Sequence, residues 1–158
     1  MLLSRLPRGV LLTGKEILRH ILKRPVVGIC AAAQGKDGRW LLIRRADTGT
    51  WALPGGTVEW GETLRATLHR ELLEEAGVES FTFEGLVGVW SHPDRDVRFH
   101  AVTTVARCTV DAPVRPPVNV TEITDVRFFS VEELPEELAM GQREMIDAAI
   151  RGGPPVLE

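Results

Sequence analysis

Short runs of apolar residues, bounded by turn-forming residues, predict strands over much of the chain. Two β-rich runs at residues 26–33 and 40–43 flank the polar turn 34–39, so this stretch predicts a β-hairpin. Between them and the next helix, the sequence Leu-Pro-Gly-Gly at 53–56 interrupts the pattern, and we expect no regular element there. Runs of β-branched and aromatic residues predict three further strands, at residues 83–90, 99–110 and 126–129.

Apolar residues spaced for a helix predict three helical regions among these strands. Residues 15–23 carry one apolar stripe with basic residues elsewhere, and Pro25 ends this short amphipathic helix. A second helix is predicted at 63–76, ended by Gly77. The last region begins at a capping-box pair, Ser130 with Glu133, is interrupted by a proline and continues over 140–150. The interleaved order predicts one mixed α/β domain.

The composition is that of a single globular domain. The chain has 158 residues, of which 44% are hydrophobic and 26% charged. Its two cysteines, Cys30 and Cys108, are far apart among apolar neighbours, so we expect buried thiols rather than a disulfide or a zinc site. No apolar run is long enough for a membrane span or a signal peptide, and we expect a cytoplasmic protein without a membrane partner.

The net charge of −3 hides an uneven distribution. Residues 1–24 carry six Lys/Arg and a single acid, whereas the rest of the chain carries 13 basic and 21 acidic residues. An acidic body repels nucleic-acid phosphates, so we expect no nucleic-acid partner. A phosphate-bearing substrate would need cations between itself and such a site.

The helix at 63–76 places three carboxylates close together. Glu71, Glu74 and Glu75 stand at positions i, i+3 and i+4, within an arc of about 100°. Like charges at this spacing repel, and the helix dipole disfavours anions near its C-terminal end. A hard divalent cation would relieve both costs, because carboxylate oxygens are the ligands that Mg²⁺ and Mn²⁺ prefer. A solvated acidic surface is the alternative for the glutamates taken alone.

The residues from Gly56 to Val78 decide between these interpretations. They resemble the Nudix box, G-x5-E-x7-R-E-U-x-E-E-x-G-U with U aliphatic, at every specified position. Seven fixed and two aliphatic positions would match by chance about once in a billion placements. The chain is therefore identified as resembling the Nudix hydrolases, which implies a metal-dependent enzyme that cleaves diphosphate linkages.

The resemblance implies a role for each residue that matches. Glu71, Glu74 and Glu75 resemble the metal-binding and catalytic carboxylates of the family, and the carbonyl of Gly55, just before the box, resembles a further ligand. Arg70 resembles the residue that orients the glutamates. Glu62 resembles its partner on the preceding loop, and Mg²⁺ or Mn²⁺ is the implied cofactor.

Nudix enzymes often recruit another acid from a later loop as a base or ligand. Glu122, six residues before Phe128, resembles such an acid and is our candidate for both roles. Asp94, Asp96 and Asp125 are its rivals.

Weaker marks bear on the substrate. Pro93, fifteen residues beyond the box, resembles the ADP-ribose and nucleotide-sugar branch of the family. In that branch we expect hydrolysis of a nucleoside diphosphate derivative to a nucleoside monophosphate and a sugar phosphate. The candidate contacts are basic residues for phosphate or ribose oxygens and aromatic residues for stacking. They are Arg95, Arg98, His100, Trp51, Trp90 and Phe99.

Other functions fit the sequence less well. Dinucleoside-polyphosphate hydrolases tend to carry a tyrosine beyond the proline position, and the chain has no tyrosine. Nucleotide-sanitising triphosphatases read an oxidised base with an asparagine, for which Asn119 is the single candidate, and they are the alternative. A sensing domain without activity would be expected to have lost box glutamates, and all are present here.

These inferences combine into one expectation. Residues 25–158 should form a Nudix-like α/β/α sandwich with a mixed sheet, and residues 1–24 should contact a partner subunit of a homodimer. Water activated by a carboxylate should attack phosphorus directly. No motif pairs a serine or cysteine with a histidine, which argues against a covalent intermediate.

Overall fold

The computed structural model describes residues 24–118 and 120–158, and within them one mixed sheet lies between two helices. The strands are β1 (Val26–Gly35), β2 (Trp40–Arg45), β3 (Trp51–Ala52), β4 (Gly55–Thr57), β5 (Phe81–Trp90), β6 (Ala101–Val110), β7 (Ile123–Phe129) and β8 (Val156–Leu157). The helices are α1 (Leu64–Ala76) and α2 (Arg143–Arg151), the latter preceded by a short 3₁₀ turn, Ala139–Gly141. The predicted α/β/α sandwich is confirmed.

The sheet runs in the order β3-β2-β1-β6-β5-β8, with β4 paired to β1 and β7 paired to β2. β1 is parallel to β6 and β5 is parallel to β8, whereas the other pairs are antiparallel. The predicted hairpin between β1 and β2 forms, with Gln34 opposite Trp40. The long parallel pairing of β1 with β6 makes β1 a central strand, buried on both faces.

Alternate residues of the central strands face opposite helices. On β1, Cys30 and Ala32 pack on the α2 side, while Ile29, Ala31 and Ala33 pack on the α1 side. The period of two that a strand imposes therefore divides the apolar residues between two cores. Each core fixes one helix relative to the sheet, and α1 also contacts β4.

Three sequence-based expectations need correction. The segment 53–56 is not wholly irregular, because Gly55–Thr57 forms β4 against β1. The N–H of Ser130 donates to the carboxylate of Glu133, as in a capping box, but the N–H of Glu133 donates to the backbone carbonyl of Ser130. Only a turn follows, since Pro135 prevents propagation of a helix. The last helix begins at Arg143 rather than at residue 140, because Met140, inside the 3₁₀ turn, takes a left-handed conformation with φ of 55° that a helix cannot contain.

The predicted helix at 15–23 lies outside the described residues, as does most of the segment 1–24. Within the described residues, no helix is both long enough and apolar enough to cross a membrane.

Candidate active site

Helix α1 is fixed at both ends by residues of the sequence motif. Thr63 caps its N-terminus, where the Oγ1 accepts a 3.2 Å hydrogen bond from the backbone N–H of Ala66. Gly77 ends the helix in the left-handed conformation, with φ of 68°, and its N–H donates to the carbonyls of Leu72 and Leu73. Leu68, Leu72 and Ala76 are buried against the sheet, whereas Leu73 is only partly buried. Both ends of the glutamate-bearing helix are therefore held in place.

Arg70 lies at the centre of a network of carboxylates. Its Nε and Nη2 donate to the two oxygens of Glu62 over 2.9 and 3.0 Å, and its Nη1 donates to Glu71 over 2.7 Å. The Nη1 also lies 3.5 Å from Glu74, and Nη2 donates to the carbonyl of Thr57 on β4. This bidentate geometry connects the loop before α1 with the glutamates on it.

Glu62 is the loop-side partner of this arginine. Its carboxylate also accepts hydrogen bonds from the Thr67 hydroxyl and the Glu59 backbone N–H. The hydrogen bonds from Arg70, and then those from Thr67 and Glu59, lower the pKa of Glu62 to about 2. Glu62 is thus ionised under ordinary conditions and holds the guanidinium in one orientation.

Neighbouring atoms approach two glycines of β4 closely, and at Gly55 these atoms belong to the backbone, so glycine is required there. A Cβ on Gly55 would lie 2.3 Å from the carbonyl oxygen of Ile29 and 2.6 Å from the Cα of Cys30. A Cβ on Gly56 would lie 2.2 Å from Oε1 of Glu71. The two glycines therefore let β4 lie against β1 on one side and against α1 on the other.

Glu71 is a buried carboxylate and Glu75 is a partly buried one. Glu75 accepts a 2.8 Å hydrogen bond from the N–H of Gly55. Burial, reinforced by Glu71 and Glu122, outweighs this bond and raises the pKa of Glu75 to about 8. Burial also raises the pKa of Glu71, against the effect of Arg70. These two acids, shielded from solvent and with raised pKa values, form a site that is stabilised by a proton or by a cation.

The carboxylates do not yet converge on one point. Among the described residues, no three His, Cys, Asp or Glu side chains are grouped closely enough to hold a metal ion. The reason is visible in the contacts, since Glu71 and Glu74 are turned toward Arg70 and Glu75 toward Gly55. The residues supply oxygen donors of the type that hard cations prefer, which fits the implied metal chemistry. Their side-chain orientations would have to change on binding.

A cavity of about 260 Å³ opens beside Glu75 and is mainly apolar. It connects the glycine-rich turn with the irregular segment that follows β5. Three of the predicted substrate contacts, Arg95, Arg98 and Phe99, line it together with Gly55 and Glu75. Its remaining walls include Ile29, Cys30, Leu53, Met140, Gln142 and Met145.

Arg98 and Phe99 form one wall of this cavity. Arg98 makes two hydrogen bonds to the buried carboxylate of Asp96, from Nε over 2.9 Å and from Nη2 over 2.7 Å. Its guanidinium also lies 5.1 Å from the centre of the Phe99 ring. About half of the Arg98 side chain is still exposed, so this cation is accessible from the cavity.

Glu122 borders a second recess, of about 340 Å³, next to the first. Glu75, Arg98 and Arg45 line the same recess, so the structure brings the predicted loop acid close to the motif glutamates. The backbone carbonyl of Glu122 accepts from the N–H of Ala46, which fixes this loop to the end of β2. Its side chain is exposed.

Other predicted contacts lie elsewhere. Trp90 is 3% exposed within the α2-side core, and Trp51 packs edge-on against Phe129 with ring centres 4.8 Å apart. His100 bonds the carbonyl of Ser91 through Nε2 over 2.8 Å. None of these three residues lines the cavity beside Glu75 or the recess beside Glu122. Packing and turn formation account for their positions.

The rival acids occupy three different environments. Asp96 is buried against Arg98 and lines the cavity, whereas Asp94 is exposed in the turn that Pro93 begins. Asp125 lies on β7, where it contacts Arg127 over 3.4 Å. Asn119, the candidate for reading an oxidised base, lies outside the described residues.

The cavity residues that were not anticipated from the sequence include two with hydrogen-bonding side chains, Arg45 and Gln142. Arg45 lies at the end of β2, borders both cavities and pairs with Asp47 over 2.6 Å. Gln142 is 3% exposed, and its Oε1 accepts a 2.7 Å hydrogen bond from the N–H of Leu53. Gln142 could have been predicted as a site residue because it is a polar residue just before the apolar stripe of α2. Arg45 could have been predicted in the same way, because two consecutive arginines end the apolar strand β2.

Comparison with known proteins agrees with this site. The family model of the NUDIX domain matches residues 22–149. A MutT-like protein of Streptomyces ambofaciens is 35% identical over 131 residues, covering 82% of this chain and 80% of the relative. An ADP-ribose pyrophosphatase of Methanocaldococcus jannaschii is 37% identical over 154 residues, covering 89% and 88%. The crystal structure of a MutT NUDIX hydrolase from Burkholderia pseudomallei superposes with a TM-score of 0.64 at 32% identity, covering 80% of this chain and 98% of the other. With the motif intact and its arginine–glutamate network in place, the chain belongs to the NUDIX family and is a Nudix hydrolase.

Proposed function

We propose that this hydrolase cleaves the diphosphate linkage of ADP-ribose or a related nucleotide sugar, giving a nucleoside monophosphate and a sugar phosphate. The observation that carries the proposal is the shared cavity, in which Glu75 and Gly55 border the same space as Arg98 and Phe99. The similarity to the ADP-ribose pyrophosphatase of M. jannaschii over most of both chains supports the same substrate class.

The cavity has walls suited to the two ends of such a molecule. Arg98 and Arg45 present guanidinium groups at the boundary between the two recesses, where they would bind phosphate oxygens. Phe99, Met140 and Met145 supply apolar surface for a base or a sugar face. Arg95 lines the same wall, although its guanidinium is already engaged with Glu158 and Glu144.

The motif carboxylates fit a divalent metal ion, Mg²⁺ or Mn²⁺, as the cofactor. Glu71, Glu74 and Glu75, with the carbonyl of Gly55, would hold it, and Glu122, which borders the same recess as Glu75, would be a further ligand. When bound, the ion would neutralise phosphate charge and activate water. A cation would also offset the cost of burying Glu71 and Glu75, whose pKa values burial raises.

The protein's own groups account for the rest of the proposed reaction. Arg70 and Glu62 orient the glutamates, and Arg98 and Arg45 fix the diphosphate. Glu75 or Glu122 would accept the proton of the attacking water, since both border the recess. Water would attack phosphorus in line and expel the other phosphate as a leaving group, so the bond broken is the phosphorus–oxygen bond of the diphosphate.

A substrate screen tests the proposal. Purified protein with Mg²⁺ or Mn²⁺ would be assayed on ADP-ribose, UDP- and GDP-sugars, dinucleoside polyphosphates and oxidised dNTPs, with products identified by chromatography. We expect kcat/KM to be highest for ADP-ribose or a nucleotide sugar, with a nucleoside monophosphate as product. A preference for an oxidised dNTP, with release of pyrophosphate, would replace our proposal with the nucleotide-sanitising alternative.

Assembly is a separate proposal. We infer that residues 1–24 contact a partner subunit in a homodimer, because four apolar residues between 17 and 22 form a stripe in the sequence. Multi-angle light scattering of the full chain should then give twice the monomer mass of 17.5 kDa. A monomeric mass at assay concentration would contradict it.

A further inference from the structure

The segment 91–100 connects β5 to β6 and carries the substrate-side wall of the cavity. It contains no strand or helix, although a turn closed by the Arg95 N–H and the His92 carbonyl gives it local order. Arg95, Asp96, Arg98 and Phe99 all line the cavity from this segment. An irregular segment of ten residues needs contacts from outside itself to hold such a wall in one position.

Glu158 supplies those contacts. Its Oε2 accepts hydrogen bonds from the backbone N–H groups of Ser91 over 2.7 Å and His92 over 2.6 Å. Its Oε1 accepts from the Nε of Arg95 over 3.1 Å and also contacts the Nη2 of that residue. One carboxylate oxygen thus holds the backbone at the start of the segment 91–100, and the other holds Arg95, the first side chain of the segment that lines the cavity.

The position of Glu158 is itself well determined. The strand β8 pairs in parallel with β5, with Gly88 opposite Val156, and the N–H of Glu158 donates to the carbonyl of Val89 over 3.0 Å. A Cβ on Gly88 would lie 2.5 Å from the carbonyl oxygen of Val156, so glycine permits this close pairing. The carboxylate is therefore attached to the sheet rather than to a free segment.

Arg95 extends the connection to the opposite wall. Its Nη1 donates to the carbonyl of Gly141 over 3.3 Å, next to Met140 and Gln142, which line the cavity from the other side. The Arg95 side chain is 16% exposed and that of Glu158 is 27% exposed, so solvent screens the pair only in part. The hydrogen bonds from Arg95, followed by those from the two backbone N–H groups, lower the pKa of Glu158 to about 2.

We propose that Glu158 is a positioning residue for the substrate, which acts through Arg95 and the backbone of residues 91–92 to hold the wall that carries Arg98 and Phe99. This inference rests on the proposed function for the identity of the substrate. In this proposal Arg95 links the two opposite walls of the cavity, whereas the sequence led us to expect that it contacts phosphate directly. Glu158 has no hydrogen bond to the motif glutamates and does not line the cavity, so its effect should be on substrate binding.

The experiment compares Glu158→Ala and Glu158→Gln with a matched control. Glu144→Gln removes the other carboxylate on Arg95, which lies 2.7 Å from Nη2, is 70% exposed and makes none of the backbone contacts of Glu158. We expect Glu158→Ala to raise KM for ADP-ribose about 10- to 100-fold, with kcat within about threefold of wild type. Glu158→Gln should fall between wild type and Glu158→Ala, and Glu144→Gln should change KM less than about twofold.

Hydrogen exchange without substrate provides the second readout. In Glu158→Ala, amides of 91–99 should exchange at least about tenfold faster than in wild type, while those of α1 remain unchanged. Unchanged exchange at 91–99, faster exchange with unchanged KM, or an equal loss of kcat would each overturn the proposal. If wild type hydrolyses a nucleotide sugar instead of ADP-ribose, KM is measured with that sugar. If it hydrolyses neither, the proposed function is wrong, and hydrogen exchange alone then decides whether Glu158 holds the segment.

Discussion

The backbone N–H of Gly55 donates a 2.8 Å hydrogen bond to the carboxylate of Glu75, across twenty residues of sequence. This bond joins the glycine turn at β4 to the C-terminal half of α1. It favours the ionised form of Glu75, yet burial raises the pKa of the same carboxyl to about 8. Ionising Glu75 therefore costs free energy in the absence of a cation, and Glu75 occupies a position that resembles a metal ligand of the family motif.

Glu75→Gln should separate activity from stability. The substitution removes a proposed metal ligand and proton acceptor, so kcat should fall by about two to four orders of magnitude. With the metal removed, the same variant should be more stable than wild type near pH 8, since it no longer buries an ionisable carboxyl. Steady-state kinetics and urea unfolding at pH 6 and pH 8 measure both effects.

The sign of the stability effect follows from the pKa of about 8. A carboxyl whose pKa is raised on folding takes up a proton, so the free energy of unfolding of wild type decreases as pH rises from about 4.5 to 8. Glu75→Gln should remove this part of the pH dependence. The control is Glu79→Gln, an exposed acid beyond the same helix, which should alter neither property. Near-normal turnover of Glu75→Gln would place the chemistry on other residues.

Local spacing explains what could be predicted from the sequence. Glu71, Glu74 and Glu75 lie within one turn of one helix, so their proximity follows from helix geometry alone. Capping residues at each end, Thr63 and Gly77, fix the bounds of that helix in the same local way. The resemblance then predicted the pairing of Arg70 with Glu62, which the structure contains.

Contacts between distant segments explain what could not be predicted. Leu53 and Gln142 are 89 residues apart and meet because Leu53, just after β3, packs in the same core as α2. Trp90 has an aromatic ring suited to stacking on a base. However, side chains along β5 alternate between the two faces of the sheet, and that of Trp90 lies in the α2-side core. Likewise, the proposed role of Glu158 depends on the parallel pairing of β8 with β5, which no local sequence pattern predicts.

Gly56→Ala should displace Glu71. The added Cβ would lie 2.2 Å from Oε1 of Glu71, so the carboxylate or β4 must move. We expect the variant to lose about 1–3 kcal/mol in free energy of unfolding and most of its activity. Adding Glu71→Asp, which shortens the clashing side chain, should recover part of the lost stability. A double-mutant cycle by urea unfolding measures this coupling, and purely additive effects would show that the clash is relieved elsewhere.

Metal removal should abolish turnover without unfolding the protein. Dialysis against EDTA leaves the oxygen donors of Glu71, Glu74 and Glu75 without the cation that the proposed reaction requires. We expect activity to fall to background, to return with Mg²⁺ or Mn²⁺ and to stay at background with Ca²⁺ or Na⁺ alone. Circular dichroism before and after dialysis should be the same. Full activity in EDTA would contradict the proposed cofactor.

Glu62 should contribute to stability only above acidic pH. Its pKa is about 2 in the folded protein, against an ordinary value of 4.5, because Arg70 and Thr67 donate hydrogen bonds to the carboxylate. A lowered pKa means that the contribution is fully present above about pH 4.5 and is lost as pH falls toward 2. Glu62→Gln should therefore destabilise the protein at pH 6 more than at pH 3. An equal effect at both pH values would assign the loss to packing rather than charge.

Single-turnover hydrolysis in ¹⁸O-water tests whether water attacks phosphorus directly. Cys30 lines the cavity and is the thiol nearest the motif, but burial raises its pKa to about 12, which leaves almost no thiolate at neutral pH. Burial raises the pKa of Cys108 to about 12 as well. The proposed route therefore places one ¹⁸O atom in the phosphate of one product and none in the protein. Mass spectrometry of both products and of the protein after one turnover locates the label, and rapid quenching during the turnover tests for a phosphorylated protein, which the direct route does not form. Label that first appears in a glutamate side chain would show a covalent acyl phosphate, with a carboxylate acting as nucleophile instead of base.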